Sequence, residues 1–348
     1  FACVSDCADG LRVLREVGGE EALREVTALN PLYHWGLHSI AAYQDSPNAL
    51  RFLVESGTSK GDAEFEEIMC QKASPMCFKV WCECAGKDEV LGLRLRPDKK
   101  LQTIPLALVY AGESEKLRIL IELFGKAALK VPPEHDSLDT NPFCVALFFN
   151  TDTKFKCLDV LYSAKKYPTV TGQGGFPQTM MFTLFDTTVQ EPKLSSEERL
   201  RQQKARMKFV HENEGDEAWR VCEVQQKGMW VSPLVFVRNP ELVRYAKQLA
   251  GDAPIRPCFA PIPGLSNKKH TVDHPFLVVE SRLGSDPTAA DVLRAFREVG
   301  WAPPKQLQDD VAPVPARKED DMLEGLVEQN DPVRFQRIWK VSVVQKLG

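Results

Sequence analysis

The chain has 348 residues, of which 43% are hydrophobic and 26% charged, and its formal net charge is −4. That length leaves room for one large domain, two ordinary ones or a repeat array, in the composition range of soluble globular proteins. The small net charge excludes a bulk pull towards nucleic acid or anionic lipid. Apolar runs such as LALVYAG and CVALFF fall far short of a membrane span.

In chain order, the first helical pattern is ADGLRVLREVGG, within residues 1–19, read as the second helix of a partial unit. Further units centre on 30–57, 62–86, 104–125, 141–166, 177–213, 232–251 and 274–300, and DDMLEGLVEQNDPVRFQRIWKV (320–341) reads as a terminal cap. Four units open on a proline, at Pro105, Pro142, Pro233 and Pro275. Proline suits a first helical position because its missing N–H is no loss there. Asn141 and Ser232 precede two of these prolines as helix-capping residues. The residue four beyond each proline is apolar (Val109, Ala146, Val237, Val279), which places one apolar stripe on a very short helix.

After a turn, apolar residues fall at i, i+3 and i+4. Examples are Leu50, Leu53 and Val54; Leu117, Leu120 and Ile121; Leu158, Leu161 and Tyr162; Leu242, Tyr245 and Ala246. Many of these second helices then meet a glycine, at Gly57, Gly125, Gly251 or Gly300, the usual left-handed stop. Gly57 and Gly125 are 68 residues apart, twice 34, with one more unit between them ending at Gly86. Periods of this size predict an all-α solenoid of helical hairpins.

Three segments interrupt the pattern. KVPPEHDSLDT (130–140) is a polar connector. Residues 187–220 form a charged insertion opened by a capping signature, Ser195 with Glu198, which reads either as a lengthened second helix or as a partner-specific protrusion. Residues 301–319 carry four prolines and read as an extended linker to the 320–348 cap or tail.

PLALVYAGESEKLRILIEL, HSIAAYQDSPNALRFLVESG and SPLVFVRNPELVRYAKQLAGD resemble ankyrin repeats. Pro105, Pro142, Pro233 and Pro275 match the family's motif proline, Leu106 and Leu234 its leucine, Ala41 and Ala42 its alanine pair, and Gly57, Gly125, Gly251 and Gly300 its terminal glycine. The resemblance implies a divergent ankyrin-like solenoid over residues 1–300, of roughly 7–9 degenerate units. The motif's threonine is here Asn141, Ser232 and His274, and its histidine is Ala107, Cys144, Val235 and Leu277. The hydrogen bonds which those two residue types make between neighbouring repeats of the family are therefore expected to be largely lost.

Sites of chemistry are scarce. Ten cysteines in a chain long enough for a real core suggest buried thiols and a reducing compartment. Cys70, Cys77, Cys82 and Cys84 lie seven, five and two apart, without the paired spacing of structural zinc. Cys258, His270 and His274 resemble half a zinc finger without its cysteine pair, and a capping role for His274 is simpler. His34 and His38 lack a matching carboxylate, and His38 falls near the family's structural histidine. TVTGQGGFPQT (169–179) lacks a Gly-Lys-Ser/Thr ending and a clear preceding strand, so its glycines fit a hairpin between units rather than a phosphate loop.

The expectation is a non-catalytic protein–protein interaction module, a scaffold or accessory subunit of a larger assembly, with no cofactor, metal, nucleic acid or transmembrane segment. Its binding residues are expected on hairpin tips: Lys60, Asp62, Lys87, Asp98, Asp136, Asp139, Lys268 and Lys269. The alternatives are an enzyme on an all-α scaffold using a Cys/His pair, and an adaptor of the tetratricopeptide or HEAT type. The location expected is intracellular, cytoplasmic or inside an organelle; a chain that opens on Phe1 reads as processed or as a fragment.

Overall fold

A computed structural model describes residues 2–28, 35–57, 64–95, 103–130, 140–148, 152–165, 168–171, 177–185, 195–225, 229–256 and 272–303. These residues are mostly helical, with a few short strands. The chain divides into two compact units, Phe1–Thr171 and Gly172–Gly348, each described by itself.

The first unit opens with α1 (Ala8–Ala28). This helix bends at Gly19, whose φ of 65° and ψ of −168° are non-helical. The helix drawn to end by residue 19 therefore resumes beyond the glycine. Four pairs follow: α2 (Leu37–Tyr43) with α3 (Pro47–Glu55), α4 (Phe65–Gln71) with α5 (Pro75–Ala85), α7 (Ile104–Ala111) with α8 (Ser114–Phe124), and α9 (Pro142–Phe148) with α10 (Asp152–Ala164). A short α6 (Lys87–Gly92) packs on α5, and β1 (Thr169–Thr171) closes the unit. The first helices α2, α4, α7 and α9 touch one another in that order, and so do the second helices α1, α3, α5, α8 and α10.

The first helices are short because their ends are written into the chain. Pro105 stands in the first turn of α7, and Gly112, in the left-handed region at φ 79° and ψ 20°, ends it. Pro142 opens α9, where the Asn141 side chain accepts from the Phe143 N–H at 3.0 Å. A helix of seven or eight residues is unstable alone in water. These are held by burial on nearly every side: all seven residues of α9 are buried, as are six of the eight in α7. An edge-on aromatic train links α2, α4 and α5, with His38 to Phe65 at 5.7 Å, Phe65 to Trp81 at 5.8 Å and Trp81 to Phe78 at 5.6 Å.

The second unit begins with β2 (Pro177–Thr179) and α11 (Met180–Phe185), then α12 (Ser196–Glu214) and a 3-10 turn at Gly215–Trp219. β3 (Cys222–Gln225) and β4 (Met229–Val231) form an antiparallel pair, and β5 (Val272–Asp273) lies parallel to β4. This three-stranded sheet departs from the purely helical expectation. The runs CEVQ and MWV carry β-branched and aromatic residues that suit a pleated surface. A 3-10 turn at Pro233–Phe236, α13 (Pro240–Ala250), α14 (Pro275–Glu280) and α15 (Ala289–Glu298) complete the unit. Here α11, the Pro233–Phe236 turn and α14 touch in sequence, as do α12, α13 and α15.

One sequence expectation changes here, and one of the two readings of the charged insertion is met. SPLVFV makes one 3-10 turn and then extends at Val237, rather than forming a short α-helix. Asn239 before Pro240 is extended at φ −113° and ψ 119°, as a residue before proline prefers, so the turn has no chain left in which to grow. The charged segment 195–214 is a second helix packed on α11 and α13, with Met207 and Val210 buried, and Ser195 caps it through the Glu198 N–H at 3.2 Å.

The glycine stops are more demanding than a left-handed cap. Gly251 has φ 59° and ψ −124°, and Gly125 φ 63° and ψ −149°, combinations open in practice only to glycine. A Cβ on Gly251 meets no atom within 4 Å, so its cost is purely conformational. Gly251→Ala is expected to lower stability by about 2 kcal/mol, read as a fall in urea midpoint at unchanged slope.

Buried polar links join neighbouring helix pairs. Lys116 of α8, 1% exposed, donates to the Cys70 carbonyl in the last turn of α4 at 3.1 Å. Arg282, after α14, donates to the carbonyl of Val235 in the Pro233–Phe236 turn. In both units a buried cation from one helix pair thus holds the carbonyl end of the preceding first element. Asp6 adds an N-terminal counterpart, accepting from the Asn48 and Ala49 N–H groups of α3 at 2.8 and 2.9 Å. Exposed ion pairs such as Arg51–Glu83 and Arg244–Glu298 also bridge neighbouring second helices. Each is worth about 1 kcal/mol or less, so packing and the buried links dominate.

Candidate interaction surface

The solvent side of the first-helix row in the first unit carries a cleft of about 480 Å³ between α4 and α7. Its α4 wall is Glu67, Gln71 and Lys72; its α7 wall is Ala107, Tyr110 and Ala111; and Leu95 closes one side. Helical spacing explains the α4 wall. Glu64, Glu67 and Gln71 lie at i, i+3 and i+7 and share one face, opposite the buried Met69 and Cys70 side. Gln71 Nε2 donates to Glu67 Oε1 at 3.0 Å, which fixes the row. At its other end Trp35 Nε1 donates to Glu64 Oε2 at 2.7 Å, and the Trp35 ring lies 5.0 Å from that of Tyr43, which is 50% exposed. The alanines of α7 keep the cleft open, and the aromatic rings and mixed charges offer contacts of the kind protein interfaces favour.

Of the tip residues singled out from the sequence, Lys87 is described: it is exposed and opens α6, away from the row that lines the cleft. Lys60, Asp62, Asp98, Asp136, Asp139, Lys268 and Lys269 lie outside the described residues. The cleft residues Glu67, Gln71, Lys72 and Tyr110 were not among the sequence candidates. The i, i+3, i+7 polar row of EFEEIMCQ (64–71) is a legible signal; its pairing with Tyr110 requires the contact between α4 and α7. The repeat anchors have plain roles. Pro105, Pro142, Pro233 and Pro275 open their elements, and Gly57, Gly125, Gly251 and Gly300 take positive φ.

The residues weighed for chemistry go elsewhere. Cys144, Cys157 and Cys222 are buried. Burial pushes the Cys3 thiol up to about 11 and those of Cys70 and Cys77 to about 12, and it raises Cys82 and Cys222 as well. A thiol held protonated at neutral pH is a poor nucleophile and a poor metal ligand. Nine described cysteines are free thiols, and no group of three or more His, Cys, Asp or Glu among the described residues is placed to hold a metal. His274 caps α14 by accepting the Phe276 N–H on Nδ1 at 3.2 Å. His34, Cys258 and His270 lie outside the described residues, as do the glycines at 172, 174 and 175; a three-residue strand, β1, does stand before those glycines. No helix among the described residues is long and apolar enough to cross a membrane.

No protein-family model, curated protein or solved structure matches the chain.

Proposed function

We propose that the chain is a non-catalytic interaction module, a scaffold or accessory subunit, and that each of its two units is a degenerate ankyrin-like stack of helical hairpins. The supporting observation is the order of contacts. First elements touch their neighbours in one row, second helices in another, and Pro-opened, Gly-closed hairpins recur in both units. A stack of that kind leaves the solvent side of its first-helix row free to bind another protein by shape and scattered polar contacts. In the first unit that side holds the α4–α7 cleft. The binding elements are then Tyr110 and Tyr43 as aromatic contacts and Glu67, Gln71 and Lys72 as polar ones. The buried, protonated thiols weigh against the alternative of Cys-based catalysis.

The test is affinity purification from the native source with crosslinking, run in parallel on the chain and on a Tyr110→Ala, Glu67→Lys variant. Both positions are half-buried in the cleft walls rather than in the core, so the variant is expected to keep the helical circular dichroism of the parent, checked first, while losing at least about tenfold of its principal partner. Equal recovery by the two chains would exclude this face as the binding surface.

A further inference from the structure

His211 stands in the last turn of α12, and one atom of its ring meets two neighbours. Trp219 Nε1 donates to His211 Nδ1 at 3.3 Å, and the same Nδ1 lies 3.1 Å from the Gly215 carbonyl oxygen. An indole N–H only donates and a carbonyl only accepts, so Nδ1 serves one of them at a time. Bare, it accepts from Trp219; carrying hydrogen, it donates to Gly215. Trp219 is fully buried, so its N–H is costly to leave without an acceptor. The Gly215 carbonyl opens a 3-10 turn, whose geometry supplies a backbone N–H three residues on, so it does not depend on the imidazole.

We infer that His211 Nδ1 is a proton-operated switch, which holds Trp219 when the ring is neutral and Gly215 when it is protonated. The neutral ring carries its hydrogen on Nε2 and keeps the indole. Protonation fills Nδ1. The imidazolium then donates to Gly215, its positive charge in the last turn suits the α12 dipole, and the indole N–H is left facing another donor. The loss reaches the first-element row. Trp219 lies against Phe185 of α11, with ring centroids 6.5 Å apart, and Thr179 Oγ1, just before α11, donates to the Ala218 carbonyl at 3.3 Å. Acid thus withdraws a tie from the turn that joins α12 to α11. Within a turn of His211 on α12 stand Lys208 and Glu212, paired at 3.7 Å, and the buried Glu214. The 3-10 turn adds Asp216, paired with Arg256 at 3.2 Å, and the exposed Glu217 and Arg220. Helix α13 adds Glu241 and Arg244, paired with each other, Tyr245, and Lys247, paired with Asp252; α11 has no charged or titratable residue. These groups set the field in which the proton is taken up, and the choice at Nδ1 lies between Trp219 and Gly215.

Nuclear magnetic resonance on the full chain, with nitrogen-labelled histidine and tryptophan, tests this between about pH 8 and 5. Neutral His211 is expected to show a bare Nδ1 and a hydrogen on Nε2. The Trp219 indole resonance is expected to move in step with the filling of that Nδ1. In His211→Gln the side-chain oxygen offers an acceptor that takes up no proton in this range, so the Trp219 resonance is expected to stay in place. Trp219→Phe keeps a packing ring and removes the N–H, so neutral His211 is expected to move its hydrogen to Nδ1 and donate to Gly215. A neutral His211 with its hydrogen already on Nδ1 in the parent overturns the assignment. So does a Trp219 resonance that ignores His211 protonation or moves equally in His211→Gln, or a neutral ring unchanged by Trp219→Phe.

Discussion

Lys116→Ala is expected to lower stability towards urea by about 3 kcal/mol, and Lys116→Met by clearly less. The Lys116 side chain is 1% exposed, and its ammonium donates to the Cys70 carbonyl at 3.1 Å and lies 3.6 Å from Glu113 Oε2. Burial lowers its pKa despite Glu113, so holding the charge already costs something. Alanine removes both the stem that fills the site and the donor, leaving a void beside an unanswered carbonyl at the end of α4. Methionine keeps the apolar stem and removes the charge with its desolvation cost, losing the hydrogen bond alone, about 1–2 kcal/mol. Equal losses for the two variants would mean that the link to α4, and not packing of the stem, is what Lys116 supplies. The measurement is a pair of urea titrations, with amide exchange in α4 as the local readout.

The second large effect is on pH. Burial lowers the His274 imidazole from its ordinary 6.5 to about 4. Its Nδ1 accepts the Phe276 N–H, so a proton added there also removes the cap on α14. The folded state therefore binds this proton later than the unfolded chain does. Above pH 6.5 neither state carries the proton and the contribution is whole. As pH falls from 6.5 towards 4 the unfolded chain takes the proton first, and stability declines by up to about 3 kcal/mol. His274→Asn keeps a capping acceptor and has nothing to titrate. Thermal or urea denaturation between pH 7.5 and 4 is expected to show the variant holding more of its stability than the parent, the difference growing below 6.5. Parallel curves for the two chains would assign the acid sensitivity to other groups.

Much of the local structure is legible in the chain because it depends on neighbours in sequence. Proline at an element start, a capping side chain before it and glycine after the second helix each act within a few residues, so Asn141-Pro142, Ser232-Pro233 and Ser195 with Glu198 announce their own ends. Periodicity likewise marks the apolar stripe of each second helix. SPLVFV shows the limit. Its apolar spacing allows a helix, but Pro240 soon after and the extended Val237 leave a 3-10 turn, and the sheet of β3, β4 and β5 joins segments some 40 residues apart.

The cleft and the buried cations were less legible for the same reason. Glu67 and Gln71 show as a polar face, yet nothing local says that Tyr110 stands opposite them. Lys116 reads as an ordinary surface charge of an amphipathic helix, between Glu115 and Leu117. Only the packing of α8 against α5 and α7, which themselves pack on α4, buries it and gives it the Cys70 carbonyl. By itself, then, the amino-acid order determined where helices start, stop and turn an apolar side inwards, because those choices are made by torsion preferences and capping within a few residues. Tertiary structure decided which polar side chains would be buried, paired or left at a cleft, because desolvation depends on what the rest of the chain brings up against them.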